Sequence, residues 1–331
     1  MRKKTTGVFA LKFFSLLVVV ILIIAGINSI YIKGIYYTDT YGEIQKFKNV
    51  PTGITLANTG TSHGLASFRY PNDISETVFN FALSGEDIYH DFQTIKQFTD
   101  HFADGCVIAI PTSYFSFCMS VDEPSQKRYY AYMDREYLRG FNYETLINTK
   151  YIPILRSGEY LFKDLINDQT IDVGGAMMKD ANKDTNSNDV SVVISSVNKE
   201  SDLNYHAIGR AESWRSGFML VGEKHMPANR QILIDMVNYC KKQGWKPILI
   251  TTPLHHTLNE AFTEEELEKY YFSNMFAVQK ATNVPYYDMS HNEVFAYAAE
   301  YYENSDHLNK DGGDAYTKAF LEYLIEIGYR Q

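Results

Sequence analysis

The chain has 331 residues, enough to bury a sizeable core and too many for a small module. Its formal net charge of −9 argues against nucleic acid as a partner. Its 26 tyrosines and 20 phenylalanines suit either a sugar-binding surface, where rings stack and hydroxyls hydrogen-bond, or a tyrosine-rich core.

In chain order, Arg2, Lys3, Lys4 and Lys12 precede an apolar run from Phe13 to Ile32, broken only by Ser15, Gly26, Asn28 and Ser29. About 20 such residues cross a bilayer as a helix. The basic flank places that end in the cytoplasm and the rest outside. The competing reading is a cleaved signal peptide, with Ala25-Gly26-Ile27-Asn28-Ser29 as the nearest cleavage candidate. Residues 1–34 are therefore expected as a basic end plus signal anchor, and 35–51 as a linker with an incoming strand. Tyr36, Tyr37 and Tyr41 are expected at the membrane interface. Residues 52–331 form the expected folded domain.

That domain opens with an apolar run, Ile54-Thr55-Leu56-Ala57, then Gly60-Thr61-Ser62-His63-Gly64 and Leu65 onward. This order predicts a buried strand, a sharp turn and a helix. A serine in such a turn projects its hydroxyl, and the helix start offers free N–H groups to an anion. A plain structural turn has the same residues. Val78 to Leu83 is a second strand, Ile88 to Phe102 a helix, and Cys106 to Pro111 a third, continuously apolar strand. Thr112 to Phe117 follows at its carboxyl end. Continuous apolar strands alternating with helices predict a parallel sheet covered on both faces.

Residues 120–228 break this rhythm and are expected as a partly helical insertion, either a lid or a decorated edge. It includes the polar run Lys179 to Asp189, a surface loop. The rhythm returns with an amphipathic helix from Asn229, its candidate cap, to Gln243. A strand over Pro247–Thr252 follows, then the loop Pro253-Leu254-His255-His256 and a charged helix from Glu264 to Ala281. Glu264-Glu265-Glu266 is expected as a solvated helix start. Val284–Asp288 is the last strand, and Ala315–Ile327 the final helix. Cys106, Cys118 and Cys240 form no disulfide framework and show no metal-ligand spacing; a Cys106–Cys118 bond is the one pairing left open.

Ser62 and His307, in Ser305-Asp306-His307-Leu308-Asn309, both fall on the carboxyl edge of such a sheet, so they can meet. A neutral serine needs a base within about 3 Å to take its proton, and histidine does this near neutral pH. The negative tetrahedral oxygen then needs N–H donors. Those of Ser62 and Gly85 are the natural ones.

With these blocks in order, the chain resembles the SGNH (GDSL-like) hydrolase superfamily. Gly60-Thr61-Ser62 matches the first block, Asn80 to Gly85 the second, and Asp306-His307-Leu308-Asn309 with Gly312 the last. The resemblance implies a three-layer α/β/α domain, Ser62 as nucleophile, His307 as base and Gly85 as an oxyanion donor. Two departures stand out. Pro111-Thr112-Ser113-Tyr114 replaces the usual Gly-x-Asn-Asp block. The acid position three residues before the histidine is Asn304. Asp306 is therefore the expected orienter of His307, with Glu303 the other nearby carboxylate and a Ser-His dyad a further option.

A single anchor before such a domain is similar to bacterial proteins that modify cell-surface polymers beside a membrane-bound O-acyltransferase. By that resemblance the expected activity is ester hydrolysis from, or acyl transfer to, an extracellular glycan, with no cofactor and no metal implied. The alternative is an inactive binding or scaffold protein that kept the fold. His63 is left between substrate contact and turn filler, His255 and His256 between a substrate role and a solvated loop, and His206 and His225 have no evident partner.

Overall fold

The computed structural model describes residues 2–34, 37, 41–157 and 190–330. The polar run 179–189 and Tyr36 lie outside the described residues. The chain divides into two compact units, Met1–Asn49 with Pro124–Asp184, and Val50–Glu123 with Thr185–Gln331. The unit boundary thus falls inside the segment 120–228.

In the first unit, α1 (Arg2–Tyr31) includes a 25-residue apolar stretch, Gly7–Tyr31, with an 18-residue window of mean hydropathy 2.9 in which nothing is buried; Tyr31 at its end is buried. A helix this long and apolar can cross a membrane, and a signal sequence has the same character. No strand forms among the described residues that follow; Glu43–Asn49 winds into a tight 3-10 turn that buries Ile44 and Phe47. Tyr37 and Tyr41, expected at a bilayer interface, are buried in a ring cluster with Tyr31. Phe47 stacks flat on Tyr132 at 3.9 Å between centroids.

The second unit holds a five-stranded parallel sheet of β1 (Ile54–Asn58), β2 (Val78–Asn80), β3 (Phe102–Thr112), β4 (Lys246–Thr251) and β5 (Tyr286–Asp288). Its order is β2-β1-β3-β4-β5, with Leu56 opposite Val78 and Val107, and Leu249 opposite Tyr286. The continuous apolar strands are buried on both faces, as the sequence predicts. On one face Leu56, Val107, Ala109, Ile248 and Ile250 pack with Phe68 and with Tyr316, Phe320 and Leu324 of α9 (Lys310–Glu326). The residues of opposite parity, Ala57, Ile108, Ile110 and Leu249, are equally buried. That other face carries α3 (Ile88–Gln97), α5 (Met226–Lys242) and α8 (Ser273–Thr282), with α5 packed against both other helices and β4. The result is the expected α/β/α layering.

Several boundaries differ from expectation for local reasons. The predicted helix through Phe102 stops at Gln97, because β3 begins at Phe102. Asn229 is no cap: it lies inside α5, and its amide donates to the carbonyls of Phe117 and Met119. The charged helix begins at α7 (Glu264–Leu267) with a capping box between Thr263 and Glu266. Glu266 also pairs with Arg215, whose hydrogen bond holds its carboxyl down to about 2. Cys106, Cys118 and Cys240 are all buried and free, so the Cys106–Cys118 bond does not form.

The strand order reverses at β1: the chain places β2 on one side of it, then crosses back to build β3, β4 and β5 on the other. At such a switch point the carboxyl ends of neighbouring strands diverge and leave a crevice where open α/β sheets bind ligands. Ser62 and His63 follow β1 there, and Ser113 follows β3.

Candidate active site

The serine turn is built by close packing. Gly60 has φ 112°, and a Cβ on it would lie 3.2 Å from the Pro111 carbonyl oxygen. Its N–H donates to the buried Asp91 carboxyl at 2.8 Å. Thr61 then caps α2 (Ser62–Ser67) by accepting the His63 N–H. This leaves Ser62 at the helix start, partly exposed, while its neighbours on both sides are buried. Beyond β2 the Leu83 N–H donates to the Gly60 carbonyl at 3.0 Å, which holds the loop carrying Gly85 beside the serine turn. Asn80 ties β2 to α2 by donating to the Leu65 and Phe68 carbonyls.

The histidine comes from a hairpin of β6 (Tyr302–Asn304) and β7 (His307–Leu308), which the sequence reading did not foresee. His307 Nε2 lies 2.7 Å from Ser62 Oγ. Its Nδ1 lies 2.9 Å from Asn304 Oδ1. The same Asn304 oxygen accepts the backbone N–H groups of Asp306 and His307 at 3.2 and 3.0 Å. Two N–H donors require an oxygen at that position, which fixes the amide orientation. His307 must then donate its own N–H from Nδ1, leaving the Nε2 lone pair to accept the Ser62 hydroxyl.

Asp306 therefore does not make the orienting bond assigned to it from sequence. Asn304 makes it, because the hairpin turn aims the amide at both backbone and ring. Asp306 is turned elsewhere: Oδ1 accepts from Arg210 Nε at 3.1 Å, and Oδ2 lies 3.1 Å from His63 Nε2 and 3.5 Å from His307 Nδ1. Burial would raise its carboxyl. The charge of the neighbouring His307 and the bond to His63 outweigh burial and hold it well below the usual carboxylate range. Glu303 is exposed on the opposite side of its strand.

His63 is buried rather than a loose turn filler. Its Nδ1 lies 2.6 Å from Ser113 Oγ, itself 3.3 Å from Thr61 Oγ1. Burial pushes the His63 pKa down, with Asp306 opposing. A neutral ring donates from Nε2 to Asp306 and accepts the Ser113 hydroxyl at Nδ1. Ser113 thus stands where the missing asparagine block would be.

The residues that sequence reasoning missed sit on α4 (Val190–Trp214). His206 Nδ1 lies 2.8 Å from Ser305 Oγ, Arg210 reaches Asp306, and buried Trp214 packs 5.7 Å from the His63 ring. His206, Arg210 and Trp214 recur every fourth residue, the spacing of one helix face. That stripe was the available signal. His225 faces Asp122 at 3.8 Å.

The layers, the switch point and a serine–histidine pair drawn from the first turn and the last hairpin define an SGNH/GDSL-hydrolase-like fold. No protein-family model matches the chain, and no curated protein is similar to it. Among solved structures it is similar to a Bacteroides fragilis protein provisionally described as an acylhydrolase, at 10% identity and TM-score 0.41, covering 86% of this chain and 95% of that one. It is also similar to the Bacillus subtilis protein YxiM, at 11% identity and TM-score 0.38, covering 84% of this chain and 58% of that one. A third is a Parabacteroides merdae protein provisionally described as a GDSL-like lipase, at 9% identity and TM-score 0.34, covering 83% and 96%.

Proposed function

We propose that this protein is an extracytoplasmic serine ester hydrolase or O-acyltransferase that works on a cell-surface glycan. The observation that carries the chemistry is the Ser62 Oγ to His307 Nε2 distance of 2.7 Å, with the ring tautomer fixed by Asn304. His307 takes the hydroxyl proton as Ser62 attacks the acyl carbon, then returns it to the leaving alcohol. The N–H groups of Ser62 and Gly85 hold the oxyanion. Water or a sugar hydroxyl then accepts the acyl group from Ser62. Asp306 balances the imidazolium charge at 3.5 Å without being its hydrogen-bond partner. The apolar α1 and its basic flank support an anchored chain with its N-terminus cytoplasmic. The glycan substrate and a membrane-bound acyltransferase partner rest on the family resemblance. An inactive scaffold would have no use for a base poised on a partly exposed serine.

The test is hydrolysis of p-nitrophenyl acetate and covalent labelling by a fluorophosphonate, using the full chain in detergent. Wild type turns over and labels. Ser62→Ala and His307→Ala lose nearly all turnover. Asn304→Leu loses about 100-fold, within the range for general acid–base groups, whereas Asn304→Asp keeps or raises activity. A wild type that neither labels nor outruns Ser62→Ala would overturn the reading in favour of a scaffold.

A further inference from the structure

The loop after β4 carries two adjacent histidines, and α4 brings a carboxylate to both. His256 Nε2 lies 2.7 Å from Glu200 Oε1, and His255 Nε2 lies 3.5 Å from Glu200 Oε2. One ligand-type atom from each of the three lies within 4.8 Å of the other two. Each histidine is held by its other nitrogen. His255 Nδ1 meets Thr257 Oγ1 at 2.9 Å, and His256 Nδ1 meets Glu260 Oε1 at 3.1 Å. With Nδ1 of each ring held by these partners, Nε2 of each is the nitrogen available to a metal, the orientation that outer partners impose on metal-ligating histidines. Tyr297 stacks on the His256 ring and Tyr302 meets the His255 ring edge-on, which restricts both.

A simple ion pair with Glu200 accounts for His256 but not for His255. The His255 side chain is fully buried, and its Nε2 has no hydrogen-bond partner among the described residues. Buried polar atoms are rarely left so, because the lost hydration is not replaced. This nitrogen points at a carboxylate that already serves the neighbouring ring.

We propose that Glu200, His255 and His256 form a binding site for a divalent transition metal, zinc in particular. Two imidazoles and a carboxylate suit that ion, with water in the remaining position. Bonds of about 2.0–2.2 Å place tetrahedral ligand atoms roughly 3.3 Å apart. Glu200 is 42% exposed, and its oxygens lie 2.7 and 3.5 Å from the two Nε2 atoms, on either side of that spacing. The metal ties α4 to the β4 loop, whose His255 N–H donates to the Ser305 carbonyl beside Asp306. It thereby fixes the helix that carries His206 and Arg210. The site does not depend on the esterase reading.

The experiment is calorimetric titration of Zn²⁺ into the full chain, purified in detergent and stripped with a chelator. One Zn²⁺ binds per chain with micromolar or tighter Kd. Glu200→Gln and His256→Gln each weaken binding at least tenfold with unchanged circular dichroism. Glu200→Gln is the decisive variant, since its side chain is partly exposed and its loss leaves the core intact. His63→Gln and His307→Gln leave Zn²⁺ binding unchanged, which separates this site from the nearby cluster of His63, Asp306 and His307. Absence of saturable binding, binding that survives Glu200→Gln and His256→Gln together, or binding that is lost with His307→Gln overturns the proposal.

Discussion

Asn304 holds His307 through a neutral oxygen, so the charge that stabilises a protonated ring must come from elsewhere. Asp306 supplies it at 3.5 Å while Arg210 and His63 keep that carboxylate in place. A second carboxyl, Asp91, behaves in the opposite way. Burial pushes it up to about 8, against the Gly60 N–H bond that favours its ionised form. In the unfolded chain an aspartate loses its proton near about 3.9. Between these values the folded state keeps a proton that the unfolded state has released, so stability falls as pH rises across that window. Asp91→Asn keeps an acceptor for Gly60 and has nothing to ionise. Its Tm should exceed that of wild type near pH 8 and converge with it toward pH 4. A Tm difference that does not change with pH would mean that the carboxyl is ionised throughout.

At the scale of elements, the serine turn and α4 hold the site from two sides. In α2 a Cβ on Gly64 would lie 2.6 Å from the Thr59 carbonyl oxygen, with Ala82 and Pro111 also in contact. Gly64→Ala should therefore destabilise by about 1–3 kcal/mol as an overpacked site. Its activity loss should exceed what the unfolded fraction explains, because the turn that aims Ser62 must shift. Urea denaturation alongside the esterase assay checks both. The strands and this turn were legible in the sequence because their signals are local: unbroken apolar runs, and glycines at fixed spacing. The partners supplied by α4 were not. Arg210 meets Asp306 96 residues later, and His63 meets it 243 residues later; no local period encodes such pairings. Asn304 stands at the acid position in the sequence, but a carboxylate two residues on is the ordinary partner of a histidine. Only the hairpin geometry shows that an amide there reaches Nδ1 while Asp306 points to Arg210.

At the scale of the whole molecule, the Ser62–His307 contact joins residues 245 positions apart. The hairpin bearing His307 leads directly into α9, whose Tyr316, Phe320 and Leu324 are fully buried in the core of the second unit. A chain ending at Leu308 retains Ser62, Asn304 and His307 but loses this packing. It should fail to label with a fluorophosphonate although every reacting group is present. Labelling equal to that of the full chain would show that α9 is dispensable to the site.

This separation also sets the order of events during synthesis. The Ser62 turn leaves the ribosome 245 residues before His307. For all that time the hydroxyl is an ordinary alcohol. Contacts of such sequence separation close late, because the loop between them must be ordered first. On the proposed chemistry, activation of Ser62 therefore waits for the helix behind the hairpin, and a chain that ends before that helix is expected to be inert.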